Sequence, residues 1–377
     1  MNIQGHPQQS NLNSALNSKQ HCAQPATTVS AFSTQQDLAK TLSIQLRKAV
    51  LEIAGCNNQW SAIPLQGSGI FAVEAMLCSL LSPTDHLLIV ENGVSASRMA
   101  EICYIHHIRY SILKLDTLRG IELAQVAAVL DQDSSITHLA AAHFEASLGV
   151  KNDIDGLARL AVQYGCRLLV DVISTFGVLP LNFASPALAA VALSASQCLH
   201  GVPGMAFVLV CKNELTQKTP PRTFSLDLKA QYRALKSDGQ WRFTPPLQVM
   251  LALKQAIDDY RLQGGREARF QLYCQRMIHL LKGMAALGFQ PLIEPQYCAP
   301  LFVTLVGCRG QHFATSKLSE CLLPRQLALS IISNGVDTFR IGVQGEVSLN
   351  DIDDLLTAVR DCTSQQQLNH LSQMPSG

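Results

Sequence analysis

From Gln36 to about Ala54 apolar positions recur at three- and four-residue spacing, which predicts an amphipathic helix. The pattern then changes. Short apolar runs follow at HLLIV (86–90), THLAAAH (137–143), CRLLVDV (166–172), AAVALSAS (189–196) and MAFVLVC (205–211). Their length and near-continuous burial-type composition predict strands covered on both faces. Between them, helical spacing predicts helices at Phe71–Leu81, Ser97–His106, Ile121–Leu130 and Ile154–Tyr164. Strand and helix in alternation predict crossover units and a mostly parallel sheet between two helical layers. A long helical pattern from about Pro246 to Leu262 stops at Gly264–Gly265, and a second one runs from Arg266 to Leu287. The remainder, to about Cys362, reads strand, helix, strand, helix, as a smaller α+β unit would.

This division gives a large domain over residues 36–265 and a small C-terminal domain over 266–365. The opening residues, 1–35, are rich in Gln, Asn and Ser and predict a disordered polar tail. Residues 366–377 predict a frayed end.

Composition narrows the function classes. Of 377 residues, 47% are apolar and only 15% charged, which suits a large buried core. Net charge is +1 and no basic stripe runs along any segment, so a nucleic-acid partner is not expected. No apolar run approaches the roughly 20 residues of a membrane helix. The start has neither a basic stretch nor an apolar core, which argues against a secretory signal. Twelve cysteines are scattered from Cys22 to Cys362 without a CxxC pair. Free, mostly buried thiols in a cytoplasmic protein are the expectation.

In open parallel sheets, ligands sit beyond the carboxyl ends of the strands, so the residues after each run matter most. Gly67-Ser68-Gly69 opens directly into the helix AVEAMLCSLL. Two glycines admit an anion close to the backbone, and a helix start presents unpaired N–H groups. An ordinary glycine turn capped by serine reads the same way. Asp171 ends the apolar strand CRLLV, where a carboxylate wants a cation such as a protonated ring nitrogen, or else caps the next helix. Ser194 to Gly204 is a small-residue loop between two buried strands. Arg340, on the short apolar strand FRIG, wants an anionic partner in protein or ligand.

Together these segments resemble the 2-aminoethylphosphonate:pyruvate aminotransferases of the class V, fold-type I, pyridoxal-phosphate (PLP) enzymes. The resemblance runs from about Gln45 to Val359 through LQGSGIFAVEAML, HFEASLGVKNDID, LLVDVISTFGVLPL, SASQCLHGVPGMAFV, SLDLKAQ with GQWRFTPP, and FRIGVQGEV. It implies a seven-stranded, mostly parallel sheet in the large domain. It also implies roles: Ser68, Gly69 and the amide near Ile70 around the PLP phosphate, Asp171 on the pyridinium nitrogen, and Ser147 beside the ring. Thr244 would reach the phosphate of a partner subunit, making a homodimer, and Arg340 would take the carboxylate of an amino or keto acid or of an aminophosphonate's acceptor.

The departures from the family pattern are equally specific. The family's covalent-attachment lysine corresponds here to Gln197. The phosphate turn's hydroxyl residue is Ile70, the threonine before Ser147 is Ala146, and His200 replaces an acidic or amide residue. A glutamine amide is neither nucleophilic nor basic, and the proton-transfer role of the lysine alone is worth ~10²–10⁴-fold in rate. Lys212 falls at the far end of its strand, roughly 26 Å from the site edge at ~3.3 Å per residue; Lys151 and Lys229 are the other lysines to place. The sequence therefore leaves three readings: a degenerate aminotransferase that binds PLP without a covalent link, an active enzyme with altered chemistry using His200 as acid or base, and a genuine aminotransferase of phosphonates or amino acids.

Overall fold

A computed structural model describes residues 29–217, 219–307, 315–322, 330–333 and 337–371. Helix α1 (Val29–Ala54) leads into strand β1 (Trp60–Gln66), α2 (Gly69–Leu80), β2 (Leu87–Glu91), α3 (Val94–Ile105), β3 (Tyr110–Lys114), α4 (Leu123–Gln132) and β4 (His138–Ala142). A small hairpin, β5 (Phe144–Glu145) and β6 (Val150–Lys151), precedes α5 (Ile154–Gln163), β7 (Arg167–Asp171), β8 (Leu188–Ser194) and β9 (Met205–Cys211). Helices α6 (Lys212–Thr216), α7 (Leu228–Ser237), α8 (Leu247–Leu262) and α9 (Gly265–Ala286) follow. The small domain adds β10 (Phe289–Pro291), β11 (Phe302–Gly307), α10 (Thr315–Leu322), β12 (Ser330–Ser333), β13 (Asp337–Gly342) and α11 (Leu349–Leu371).

The large sheet has seven strands in the order β1-β9-β8-β7-β4-β2-β3. All run the same way except β9, which is antiparallel to both its neighbours. Alternation along each strand feeds two cores. Leu168, Val170, Val191 and Leu193 face α1, α5 and α8. Leu169, Ala190, Ala192 and Val208 face α2, α3 and α7. Burial on both faces is why these strands read as continuous apolar runs.

Two strands fall outside the predicted set because both lie at sheet edges. In β1, Pro64 has no N–H for a second partner and is tolerated only where one side is unpaired. In β3 every residue is partly or fully exposed, so its YSILK lacks the continuous apolar signature.

A four-stranded antiparallel sheet, β10-β11-β13-β12, forms the small domain with α10 and α11. Its core does not close on itself. Phe144, Val178, Leu179 and Cys198 of the large domain are buried in the same cluster as Leu280, Leu301, Phe339 and Val359. Phe144 stacks on Phe302 at 6.1 Å between ring centroids. The two domains therefore share apolar surface along the line where the strand ends of the large sheet emerge.

Three expectations need correction or delimiting. Helix α1 begins at Val29, inside the stretch read as a polar tail, because helical hydrogen bonding runs past the point where composition changes; residues 1–28 lie outside the described residues. Helix α11 continues to Leu371, and the rest of the expected frayed end, 372–377, lies outside the described residues. The thiols are not all free: Cys321 on α10 and Cys362 on α11 form a disulfide, their Cα atoms 6.0 Å apart. That separation is ordinary for the bond and could not be seen in a spacing of 41 residues. Eight other cysteines are free among the described residues. No described helix is long and apolar enough to cross a membrane.

The shared core makes a direct prediction. Phe144→Ala removes about 3–5 kcal/mol of packing at the domain junction. Both tryptophans, Trp60 and Trp241, lie in the large domain. In chemical denaturation of the variant, the far-UV circular dichroism transition begins ahead of the tryptophan fluorescence transition, whereas in the wild type the two coincide.

Candidate functional site

The parallel strands deliver their C-terminal ends, and β9 its start, to one edge of the sheet. The turn after β1 is tied to the start of β9 by the Gly67 N–H, which donates to the Gly204 carbonyl at 3.0 Å. Ser68 then occupies the cap position of α2, and its side chain makes no capping bond. Gly69 begins the helix pressed against the exit of β7: a Cβ there would lie 2.7 Å from the Ile173 side chain. Ile70 packs its side chain towards the α2-side core, so it offers the site its backbone alone.

Asp171 closes β7 within this contact. One carboxylate oxygen accepts the Ile173 N–H at 2.8 Å. Its backbone carbonyl accepts the His143 N–H at 2.8 Å. Burial, reinforced by the negative charge of Glu145, pushes the Asp171 carboxyl up to about 7, against the pull of the Ile173 N–H and of Arg98. A carboxyl held this way gains most from a cation placed against it. Behind it, His143 is buried and bonded through Nδ1 to Thr175 Oγ1 at 3.0 Å. Burial and the nearby Lys151 push the imidazole down to about 4, so it is neutral.

Glu145 is the residue that the sequence reading passed over. It is buried at the start of the hairpin, where one oxygen accepts the Ser95 N–H at 2.8 Å. Its other oxygen accepts both the Ser147 N–H, at 3.1 Å, and the Ser147 hydroxyl, at 2.8 Å. Ser147 is therefore oriented by a carboxylate. The only signal in the sequence was a charged residue inside the otherwise small and apolar run HFEASLG. Arg340, from β13, reaches across the domain junction, donates to the Ala146 carbonyl and lies 4.9 Å from the Phe302 ring centroid. Burial lowers its pKa and Glu145 raises it.

Gln197 sits partly buried in the tight loop after β8, its carbonyl accepting the His200 N–H at 2.9 Å. The loop is so close that a Cβ on Gly201 would lie 2.8 Å from the Ala195 carbonyl oxygen. Next to Gln197, the Cys198 carbonyl takes Arg269 Nη1 at 2.6 Å, and the Cys198 thiol lies 3.2 Å from the Ser174 carbonyl. His200 has a left-handed φ of 58°. Its Nε2 is 2.6 Å from the Tyr273 hydroxyl and its Nδ1 3.6 Å from Glu346. Burial and Arg269 lower the His200 pKa, and Glu346 opposes them.

The structure thus brings Ser68, Gly69, Asp171, Ser147 and Gln197 to one edge, with Arg340 entering from the small domain. Thr244 is exposed, along a groove of about 580 Å³ that it shares with Gln66, Gly67 and Gly204 of the same chain. The lysines go elsewhere. Lys212 follows β9 at the opposite edge and donates to the Asn58 carbonyl at 2.5 Å. Lys229 is buried, with its ammonium bonded at 2.8 Å to both Gln217 and Thr219. Lys151 lines a separate cavity of about 490 Å³ with His143, Asn152 and Tyr297, and neither Asp171 nor Gln197 borders it.

A mostly parallel sheet with a glycine-rich helix start and a half-buried carboxyl at a strand exit is the frame of the fold-type I PLP-dependent enzymes. The chain belongs to the class-V aminotransferase family, whose model matches residues 14–303. It is similar to the 2-aminoethylphosphonate–pyruvate transaminases of Salmonella paratyphi B, at 36% identity over 320 residues, covering 84% of this chain and 87% of the relative. The enzyme of that name from Salmonella typhimurium is 35% identical over the same shares. Among solved structures, pyridoxamine-pyruvate aminotransferase from Mesorhizobium loti superposes with a TM-score of 0.78 at 20% identity, covering 86% of this chain and 84% of that one. Ureidoglycine-glyoxylate aminotransferase from Bacillus subtilis gives 0.79 at 17% identity, covering 88% and 87%. Family membership implies PLP as the cofactor, and the residues present fit it: a glycine-rich helix start whose Ser68 side chain makes no capping bond, and a half-buried carboxyl that gains from a cation.

The pKa directions have opposite signs and can be separated. Asp171 rises from 3.8 to about 7 on folding, so its contribution to stability falls as pH climbs through that window. His143 drops from 6.5 to about 4, so its contribution rises with pH over nearly the same range. In cofactor-free protein the two partly cancel. Asp171→Asn removes the Asp171 contribution alone, so the thermal midpoint of wild type minus variant decreases steadily between about pH 4 and 7. A pH-independent difference would show that the Asp171 carboxyl is not perturbed.

Proposed function

We propose that this chain is a degenerate aminotransferase that binds PLP, or its amino form, without a covalent link and retains little or no transamination. The observation behind this reading is Gln197, held by the loop at the strand-end edge beside the anion-binding turn and Asp171, with Lys151, Lys212 and Lys229 all engaged or directed elsewhere.

Each side chain then has a holding role. The backbone of Ser68, Gly69 and Ile70 receives the phosphate, and Asp171 holds a proton on the ring nitrogen. Bound PLP supplies an electron sink in its ring. Ser147, fixed by Glu145, borders the ring, and Arg340 pairs with the carboxylate of an amino or keto acid at the small-domain side. At Gln197 the amide donates and accepts hydrogen bonds but takes no proton at neutral pH, so the step that a lysine amine would perform has no agent there. His200 offers none either: its recorded partners are Tyr273 and Glu346.

Exposed apolar side chains around the Thr244 groove support a homodimer. Phe71, Phe224 and Phe243 are 43%, 78% and 47% exposed, a clustering more typical of an interface than of free surface. A second copy seated there would set its own Thr244 near the anion-binding turn.

Titration of the purified protein with PLP gives saturable absorbance changes, and borohydride reduction then leaves the intact mass unchanged. In Gln197→Lys the same treatment adds one reduced cofactor. A stable mass gain in the wild type would overturn the proposal. Light scattering gives a dimer for the wild type, and Phe224→Glu with Phe243→Glu gives a monomer with weakened PLP binding.

A further inference from the structure

Away from the sheet edge, α2 and α3 lie side by side over the second core, and their facing residues include a group that the cofactor site does not use. Glu74 and Cys78 are four residues apart on α2, so they share one face of the helix. His106 is the C-cap residue of α3, where its N–H donates back to the Ile102 carbonyl. The His106 Nε2 lies 2.7 Å from Glu74 Oε1. One carboxylate oxygen of Glu74, the Cys78 sulfur and a His106 ring nitrogen all lie within 4.8 Å of one another.

The burial is graded as a metal site requires. Cys78 is fully buried, whereas the His106 and Glu74 side chains are 18% and 30% exposed. The thiol therefore forms the floor, and the imidazole and carboxylate form a rim that solvent can reach. An ion pair across two helices accounts for His106 and Glu74, but it gives no reason for a thiol to converge with them.

A second observation points the same way. Arg222 donates through Nη1 to the His106 carbonyl at 3.1 Å, while its Nε is buried without a hydrogen-bond partner. The guanidinium charge is felt at both Cys78 and Cys103. The orphaned N–H marks this corner, at the end of α3, as short of an acceptor.

We propose that Glu74, Cys78 and His106 form a binding site for a divalent transition-metal ion of borderline softness, zinc first, with a fourth position open to water. The donor set of thiolate, imidazole and carboxylate selects against magnesium and calcium, which prefer oxygen ligands. Charge balances: the ion brings two positive charges, Glu74 contributes one negative, and Cys78 contributes a second by releasing its proton to solvent. His106 binds as the neutral ring. Tetrahedral bonds of ~2.0–2.3 Å space donors roughly 3.3–3.7 Å apart, so the 2.7 Å contact opens by only about half an ångström or a little more. The role is structural. Cys78 lies nine residues beyond Gly69, roughly 13 Å along α2 at 1.5 Å per residue, too far to touch a ligand at the helix start.

Cobalt titration of the reduced, metal-free full chain tests this. One equivalent binds with a thiolate-to-cobalt charge-transfer absorption, zinc displaces it, and zinc raises the thermal midpoint. Cys78→Ser removes that absorption, and His106→Gln weakens binding by at least about tenfold, with far-UV circular dichroism unchanged in both. Cys56→Ser, at a partly buried thiol elsewhere, leaves binding at the wild-type level. Absence of stoichiometric binding in the wild type, or charge-transfer absorption that survives Cys78→Ser, would refute the site.

Discussion

The structure turns on the contact between the backbone at the start of α2 and the side chain that follows the exit of β7. Ile173 packs so tightly on Gly69 that a Cβ there would lie 2.7 Å from it. The approach is possible because the sheet is parallel: crossovers return every forward strand to the same edge, and the turns that follow must pack there. One turn brings the amides of a helix start and the other a half-buried carboxyl. In the reading proposed above, a site for an anion joined to a cationic ring is a product of topology first, and of particular side chains second.

The electrostatics of that edge set what it can hold. Glu145 lies close enough to oppose ionisation of Asp171, while Arg98 favours it and Arg340 faces Glu145. In the reading proposed above, the amide of Gln197 adds no charge to this balance where a lysine would add one. The carboxyl of Asp171 then depends more heavily on a ligand's cation, which fits a pocket that retains cofactor by ion pairing and hydrogen bonds and not by a covalent tether.

How much of this was legible depended on what determines each feature. Central strands were readable because burial on both faces makes their runs continuous, as with Leu168–Val170 and Met205–Val210. The edge strands β1 and β3 were not, since exposure on one side admits Pro64 and the polar positions of YSILK. Asp171 was placed by the end of an apolar run, and the Gly67-Ser68-Gly69 turn by the helix that follows it. Glu145 was missed because nothing in one dimension shows that Ser95 and Ser147 converge on it. The same limit applies to Arg340 and His200. Their residue types suggested charge and proton transfer, but direction belongs to tertiary packing, which turns Arg340 to the Ala146 carbonyl and His200 to Tyr273.

The small domain helps the edge to keep its shape. Arg269 and Tyr273 on α9, with Gln344 and Glu346 after β13, all bear on the loop from Cys198 to His200 or on the neighbouring Ser174 carbonyl. His200 adopts a left-handed backbone, a conformation that costs a non-glycine residue on the order of 1–3 kcal/mol. Its ring is held by Tyr273 and Glu346 of the small domain, and its N–H by the Gln197 carbonyl. The loop is thereby held from outside the cofactor pocket, and the position of residue 197 follows from domain packing whatever side chain stands there. In the reading proposed above, that is why a glutamine in place of a lysine at residue 197 leaves the frame intact.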